Sequence, residues 1–218
     1  MKNIIFIAPP ASGKGTQSKL ISQTYSIPHI SVGEIMREYR NPETEIGRII
    51  IKCQDERSLV PLDITLKLIK MRLSNDDCSN GYILDGFPRS MEQAIEYDKI
   101  LKSINKEIDV VIHMEIDKDL ALKRTLSRRI CSKCGETYNL LIDNLKPIND
   151  NICDKCGCQL TMRSDDNEDT FIKGFNTYLE QTKPLVDYYK KRGILRELTV
   201  EEEDLVQDVF SKIKSIIG

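Results

Sequence analysis

The opening sixteen residues constrain this chain more than any other segment. Ile4-Ile5-Phe6-Ile7 is an unbroken apolar run, halted by Pro9-Pro10, and Ala11-Ser12-Gly13-Lys14-Gly15-Thr16 follows at once. Such a run, ended by a turn signal, marks a short strand buried on both faces, as in a parallel sheet. Lys14 to Tyr25 then reads as a helix. Strand, small-residue loop and helix start together place a row of backbone N–H groups at the positive end of the helix dipole, where phosphate binds. In that setting Lys14 reaches the outer phosphates of a nucleoside triphosphate, and Thr16 offers its hydroxyl to magnesium. The strict pattern G-x-x-x-x-G-K-[ST] is not met, because Ala8 stands at its first glycine and Gly15 follows Lys14. A turn with a surface lysine is the plainer meaning; the strand before and the helix after select the phosphate cradle.

The rest of the chain keeps alternating. Further strands are expected at 27–31, 82–85, 109–116 and 194–198. Helices are expected within 32–60 with a break at Pro42, and over 63–74, 91–102 and 118–129. Two more are expected over 166–191, kinked at Pro184, and over 201–217 behind a Thr199 cap. The alternation gives a five-stranded parallel sheet with helices on both faces, a three-layer α/β/α fold of the P-loop kind. Ligands of such sheets gather at the C-terminal strand ends. Asp85 ends one of these strands and is placed to hold magnesium through water; an Asp-Gly turn with Gly86 is a compatible structural role.

Between 130 and 163 the alternation breaks. Cys131-x-x-Cys134 and Cys153-x-x-Cys156 are separated by 18 residues. That spacing fits a closed, structural four-thiolate zinc site, with Gly135 and Gly157 easing the two turns; free thiols or iron are the alternatives. The metal would fold a module too small to build its own core. Cys158 is near enough to compete but breaks the pairing, and Cys53 and Cys78 are expected as packed thiols.

Composition narrows the partners. The net charge is -2 and no block of five basic residues occurs, so nucleic-acid binding has no electrostatic support. No apolar run approaches the roughly 18 residues a membrane span needs, and the N-terminal run is too short for a signal peptide. A cytoplasmic location with reduced thiols is expected. His29 and His113 are the only histidines. Neither is given a catalytic role, and His113 is expected in the core.

Taken together, these residues resemble the adenylate kinases of the long, zinc-bearing kind over essentially the whole chain. Pro10-Ala11-Ser12-Gly13-Lys14-Gly15-Thr16-Gln17 is similar to that family's phosphate loop, and Asp85-Gly86-Phe87-Pro88-Arg89 with Gln93 to its monophosphate-site signature. Arg128-Arg129 before the cysteine module resembles the start of its lid, and Arg163-Ser164-Asp165-Asp166 the return. The resemblance implies reversible phosphoryl transfer from ATP–Mg2+ to AMP, giving two ADP, by a monomer. It implies a core of 1–30, 61–129 and 165–218, a helical AMP-binding insertion at 31–60, and a zinc-bearing lid at 130–164. ATP would be held by Ala11, Ser12, Gly13, Lys14, Gly15 and Thr16, with Arg124 on its base, Arg128, and Thr137 and Tyr138 from the lid. AMP would be held by Val32, Arg37, Ser58, Leu59, Val60, Gly86, Phe87, Pro88, Arg89, Arg163 and, at the adenine edge, Gln93. Lys14, Asp85, Arg89, Arg128 and Arg163 would carry catalysis. Phosphoryl transfer needs positioning and cations more than a general base, and arginine forks suit it.

The chain departs from that family at particular places. Ala8 and Ala11 replace loop glycines, Val32 replaces a threonine near the AMP base, and Gly174 stands where a further arginine is expected. Three readings stay open: an ATP:AMP phosphotransferase, a related nucleoside monophosphate kinase with relaxed base choice, and a nucleotide-binding protein with weak turnover.

Overall fold

The computed structural model describes residues 2–56, 60–163 and 165–218. In chain order the elements begin with β1 (Lys2–Ile7), α1 (Lys14–Tyr25), β2 (His29–Ser31), α2 (Val32–Glu38), α3 (Glu45–Asp55) and α4 (Leu62–Leu73). They continue with β3 (Gly81–Asp85), α5 (Met91–Ser103), β4 (Val110–Ile116) and α6 (Lys118–Leu126). A small antiparallel sheet follows, made of β5 (Arg128–Cys131), β6 (Thr137–Asn139) and β7 (Leu160–Thr161). The chain closes with α7 (Glu168–Thr177), α8 (Pro184–Lys191), β8 (Leu195–Val200) and α9 (Val206–Ile217). Among the described residues, no helix is long and apolar enough to cross a membrane.

The main sheet has the strand order β2-β3-β1-β4-β8, and every pairing in it is parallel. Its central strand explains the layers. Alternate residues of a strand face opposite sides. Ile5 and Ile7 enter a core with Leu66, Ile69, Tyr97 and Tyr189, from α4, α5 and α8. Ile4 and Phe6 enter a second core with Ile21, Ala121, Phe171 and Ile213, from α1, α6, α7 and α9. The expected five-stranded parallel sheet between two helical layers is thus the observed one.

Three helix boundaries differ from the sequence expectation. The helix expected over 118–129 stops at Leu126, and Arg128 and Arg129 are extended because they pair with Asn139 and Tyr138. The helix expected from 201 starts at Val206, because Thr199 and Val200 stay in the ladder opposite Glu115 and Ile116. Thr199 therefore caps nothing. The helix expected over 166–191 is two helices joined by a π turn at Tyr178–Thr182. Pro184 lies in the first turn of α8, where its missing N–H costs no hydrogen bond.

Candidate functional site

The loop after β1 has the backbone that a phosphate cradle needs. Ala11 and Gly13 both take left-handed backbone, with φ of 59° and 92°. Glycine adopts that region freely, whereas alanine is strained there by about 1 kcal/mol. The loop therefore keeps a cradle-like path although alanine has replaced glycine. Gly13 provides no side-chain cap for α1, so the first-turn N–H groups remain open at the positive end of the helix.

Ala11 to Thr16 form one wall of a cleft of about 1020 Å3 at the C-terminal ends of β1 and β3. That volume lies at the top of the range for a site holding one small ligand, about 300–1,000 Å3. Lys14 Nζ donates to Asp85 Oδ1, and His29 Nε2 lies 3.2 Å from Asp85 Oδ2. Burial opposes the Asp85 charge, but the His29 hydrogen bond and the Lys14 ammonium outweigh it and hold the carboxyl well below its ordinary range. β2 pairs with β3 and brings Ser31 level with Asp85.

Five arginines line the same cleft: Arg37, Arg89, Arg124, Arg128 and Arg163. Arg37, on α2, lies 3.9 Å from Glu34. Arg89 folds its Nε onto the Gly86 carbonyl at 2.8 Å. Arg124 is buried and donates to the Glu201 carbonyl at 3.3 Å; burial lowers its pKa, against the pull of Asp204. Arg128 grips buried Asp166 with two donors, one of them Nε at 2.9 Å. Partial desolvation and the neighbouring Arg128 charge lower the pKa of Arg163.

The cysteine module stands over one side of this cleft. Two matching turns build it: Gly135 N–H donates to the Cys131 carbonyl at 3.0 Å, and Gly157 N–H to the Cys153 carbonyl at 2.8 Å. Gly135 and Gly157 have φ of 71° and 72°, the left-handed region expected of them. The sulfurs of Cys131, Cys134, Cys153 and Cys156 lie within 4.8 Å of one another. The Cys131–Cys156 and Cys134–Cys153 pairs are 3.4 and 3.5 Å apart. A tetrahedral zinc with sulfurs at about 2.3 Å sets them about 3.8 Å apart, so the donor set fits this metal. The Tyr138 hydroxyl donates to Cys153 Sγ at 3.4 Å and holds that thiol below its ordinary range, while, against backbone N–H donors, the neighbouring thiols push Cys156 and Cys134 up, as four sulfurs sharing protons must. The module's own core is Cys131, Tyr138, Cys153 and Leu160, too little to hold it folded alone.

Residues 6–194 match the sequence profile of adenylate kinase. An adenylate kinase of Geobacillus sp. (strain WCH70) is 40% identical over 216 residues, 99% of this chain and 98% of the relative. Those of Archaeoglobus fulgidus and Bacillus cereus (strain B4264) are 41% and 42% identical, each over 99% of this chain and 97% and 98% of the relative. The chain belongs to the adenylate kinase family.

Most of the positions that adenylate kinase resemblance singled out meet in the cleft. Ala11 to Thr16, Arg37, Gly86 to Arg89, Arg124, Arg128, Thr137, Tyr138 and Arg163 all line it. Tyr138 does so with its hydroxyl turned to the cysteines, where it also accepts the Asp154 N–H at 2.8 Å. Val32, Val60 and Gln93 do not line it. Val32 and Val60 pack against the core, and Gln93 Oε1 accepts the Arg89 N–H at 2.7 Å. Gln93 thus shapes the loop that carries Arg89. Ser58 and Leu59 lie outside the described residues. Gly174 does line the cleft, and a Cβ there would meet only Pro10 Cγ at 3.7 Å, whereas Lys173 stays outside it.

Sequence reasoning missed His29, Lys19, Glu34, Glu136, Thr177, Tyr178 and Thr182, which also line the cleft. For His29 a usable signal existed: it sits two residues before Ser31 at the end of an expected strand, the side of the sheet where ligands gather. His113 is buried as expected, with Nε2 on the Tyr178 hydroxyl at 2.8 Å.

Proposed function

We propose that this chain catalyses reversible transfer of the terminal phosphoryl group of ATP–Mg2+ to AMP, giving two ADP. The observation that carries this reading is one cleft lined by two unlike groups of cations. One is a phosphate loop with Lys14; the other is an arginine pair, Arg37 and Arg89, on separate elements. Two anionic ligands facing each other across such a cleft suit a direct transfer.

The roles follow from position. Loop N–H groups and Lys14 hold the ATP phosphates, and Arg124 packs at the base. Arg37 and Arg89 hold the AMP phosphate. Arg128 and Arg163, at the entrance and exit of the cysteine module, surround the group in transit. Lys14, Asp85, Arg89, Arg128 and Arg163 are the catalytic set. Thr16 and Asp85 would hold magnesium, which supplies charge neutralisation at the phosphate oxygens. Cys131, Cys134, Cys153 and Cys156 would hold zinc, which supplies folding energy to the lid and no chemistry. Residues 1–30, 61–129 and 165–218 act as core, 31–60 as the AMP-binding part and 130–164 as a lid that excludes water. The chain works on free nucleotides as a cytoplasmic monomer, with no nucleic-acid or membrane partner.

A second reading, weak turnover, draws on the α7 wall. Gly174, Thr177 and Tyr178 present no charge to the cleft where the family resemblance implies an arginine.

Three measurements test these readings. With ATP and magnesium, the purified protein is expected to form ADP rapidly with AMP and far more slowly with GMP, CMP or UMP. Comparable rates with a pyrimidine nucleotide point to relaxed base choice, and binding without turnover to the second reading. Gly174→Arg, which the open space beside Pro10 accommodates, is expected to raise kcat by about tenfold or more, a fraction of the ~10³-fold a transition-state arginine supplies. An unchanged rate means other groups already provide that charge. Metal analysis is expected to find one zinc per chain, and a chelator to lower Tm more than the initial rate; protein without zinc removes the structural-metal assignment.

A further inference from the structure

The π turn at Tyr178–Thr182 sits where the chain changes sides. Phe171 and Phe175 of α7 belong to the core on one face of the sheet. Tyr178 and the α8 residues Leu185, Val186 and Tyr189 belong to the core on the other. The Phe175 and Tyr178 rings, 6.2 Å apart, join the two. The chain therefore passes from one face of the sheet to the other across this turn, which is closed by the Lys183 N–H donating to the Tyr178 carbonyl at 2.8 Å. An i to i+5 bond of this kind is rare, and one turn of it is a common device at functional sites.

The turn is fixed at both ends. At the first, the Tyr178 hydroxyl meets His113 Nε2 at 2.8 Å, both groups buried. His113 pairs with Ile7, the last residue of β1, so this anchor lies where the phosphate loop begins. At the second, the Thr182 hydroxyl donates to the Arg89 carbonyl at 3.0 Å. Gln93 holds the Arg89 N–H from the opposite direction. The Arg89 backbone is thus clamped between α5 and the π turn, and its guanidinium, with Nε on the Gly86 carbonyl, lines the cleft.

We infer that the π turn is a positioning device for Arg89, with Thr182 as its direct contact and the Tyr178–His113 pair as its anchor. The inference rests on the reading of Arg89 as a ligand of the acceptor phosphate. Thr182 is a positioning residue, acting through the Arg89 backbone. A helix continued without the π turn would rotate the residues after Tyr178 by up to about 100° per residue of lost register, turning the hydroxyl away from that carbonyl.

Steady-state kinetics of Thr182→Val, Thr182→Ser and Arg89→Ala test the inference. Thr182→Val is expected to raise KM for AMP about fivefold while KM for ATP stays unchanged, with Tm lowered by no more than the few degrees that one lost intramolecular hydrogen bond accounts for. Thr182→Ser keeps the hydroxyl and is expected to behave as the parent protein. The inference is overturned by an unchanged KM for AMP in Thr182→Val, by equal losses in the Val and Ser variants, or by parallel rises for both substrates. Arg89→Ala separates the two levels of the argument. A large rise in KM for AMP supports the acceptor role of Arg89, and no rise overturns that role and the positioning claim with it.

Discussion

Crowded positive charge is the constraint on which the rest of this structure depends. Lys14 and five arginines face one cleft, and in isolation they would repel one another. Carboxylates offset them in the present conformation. Asp85 takes Lys14, Glu34 lies by Arg37, and Asp166 takes Arg128 in a two-pronged pair. Each of these contacts is one that a phosphate oxygen could replace, since arginine and lysine accept carboxylate and phosphate by the same donors. The proposed reaction would have the cleft exchange these internal anions for the phosphates of its substrates. Asp166 is nearly inaccessible to solvent, so its pair with Arg128 also ties the return from the cysteine module to the module's first strand.

The parallel sheet makes such crowding possible. Every strand of the main sheet points the same way, so the loops after β1, β2 and β3 open at one edge. Helices enter that edge by their N-termini and add positive potential. The cysteine module and the π turn also line the cleft, and the arginines reach it from several separate elements. The wall formed by Gly174, Thr177 and Tyr178 is the neutral one, and it is also the wall that braces Arg89 through Thr182.

Local features were legible in the sequence, and features made by long-range pairing were not. β1 and its loop were readable because an apolar run, two prolines and a small-residue turn are all neighbours in the chain. The two cysteine turns were readable for the same reason. Arg128 and Arg129 looked helical because the strand partners that extend them, Tyr138 and Asn139, lie elsewhere. Thr199 looked like a cap because its pairing with β4 cannot be seen locally. The π turn was hidden because Phe171, Phe175, Tyr178, Leu185 and Tyr189 keep apolar residues at helix-like intervals straight through it. His29 beside Asp85 needed the β2–β3 register, and Gln93 turned inward because the Arg89 N–H offered a nearer partner than the cleft.

In the proposed reaction one cleft holds a triphosphate and a monophosphate at the same time, with Lys14 serving only the first. Equilibrium dialysis with a non-hydrolysable ATP analogue and AMP, on the parent chain and on Lys14→Met, measures this directly. The expected result is one of each nucleotide bound together per chain, with Lys14→Met losing the analogue and keeping AMP. Mutual displacement of the two nucleotides, or loss of both in Lys14→Met, would contradict it.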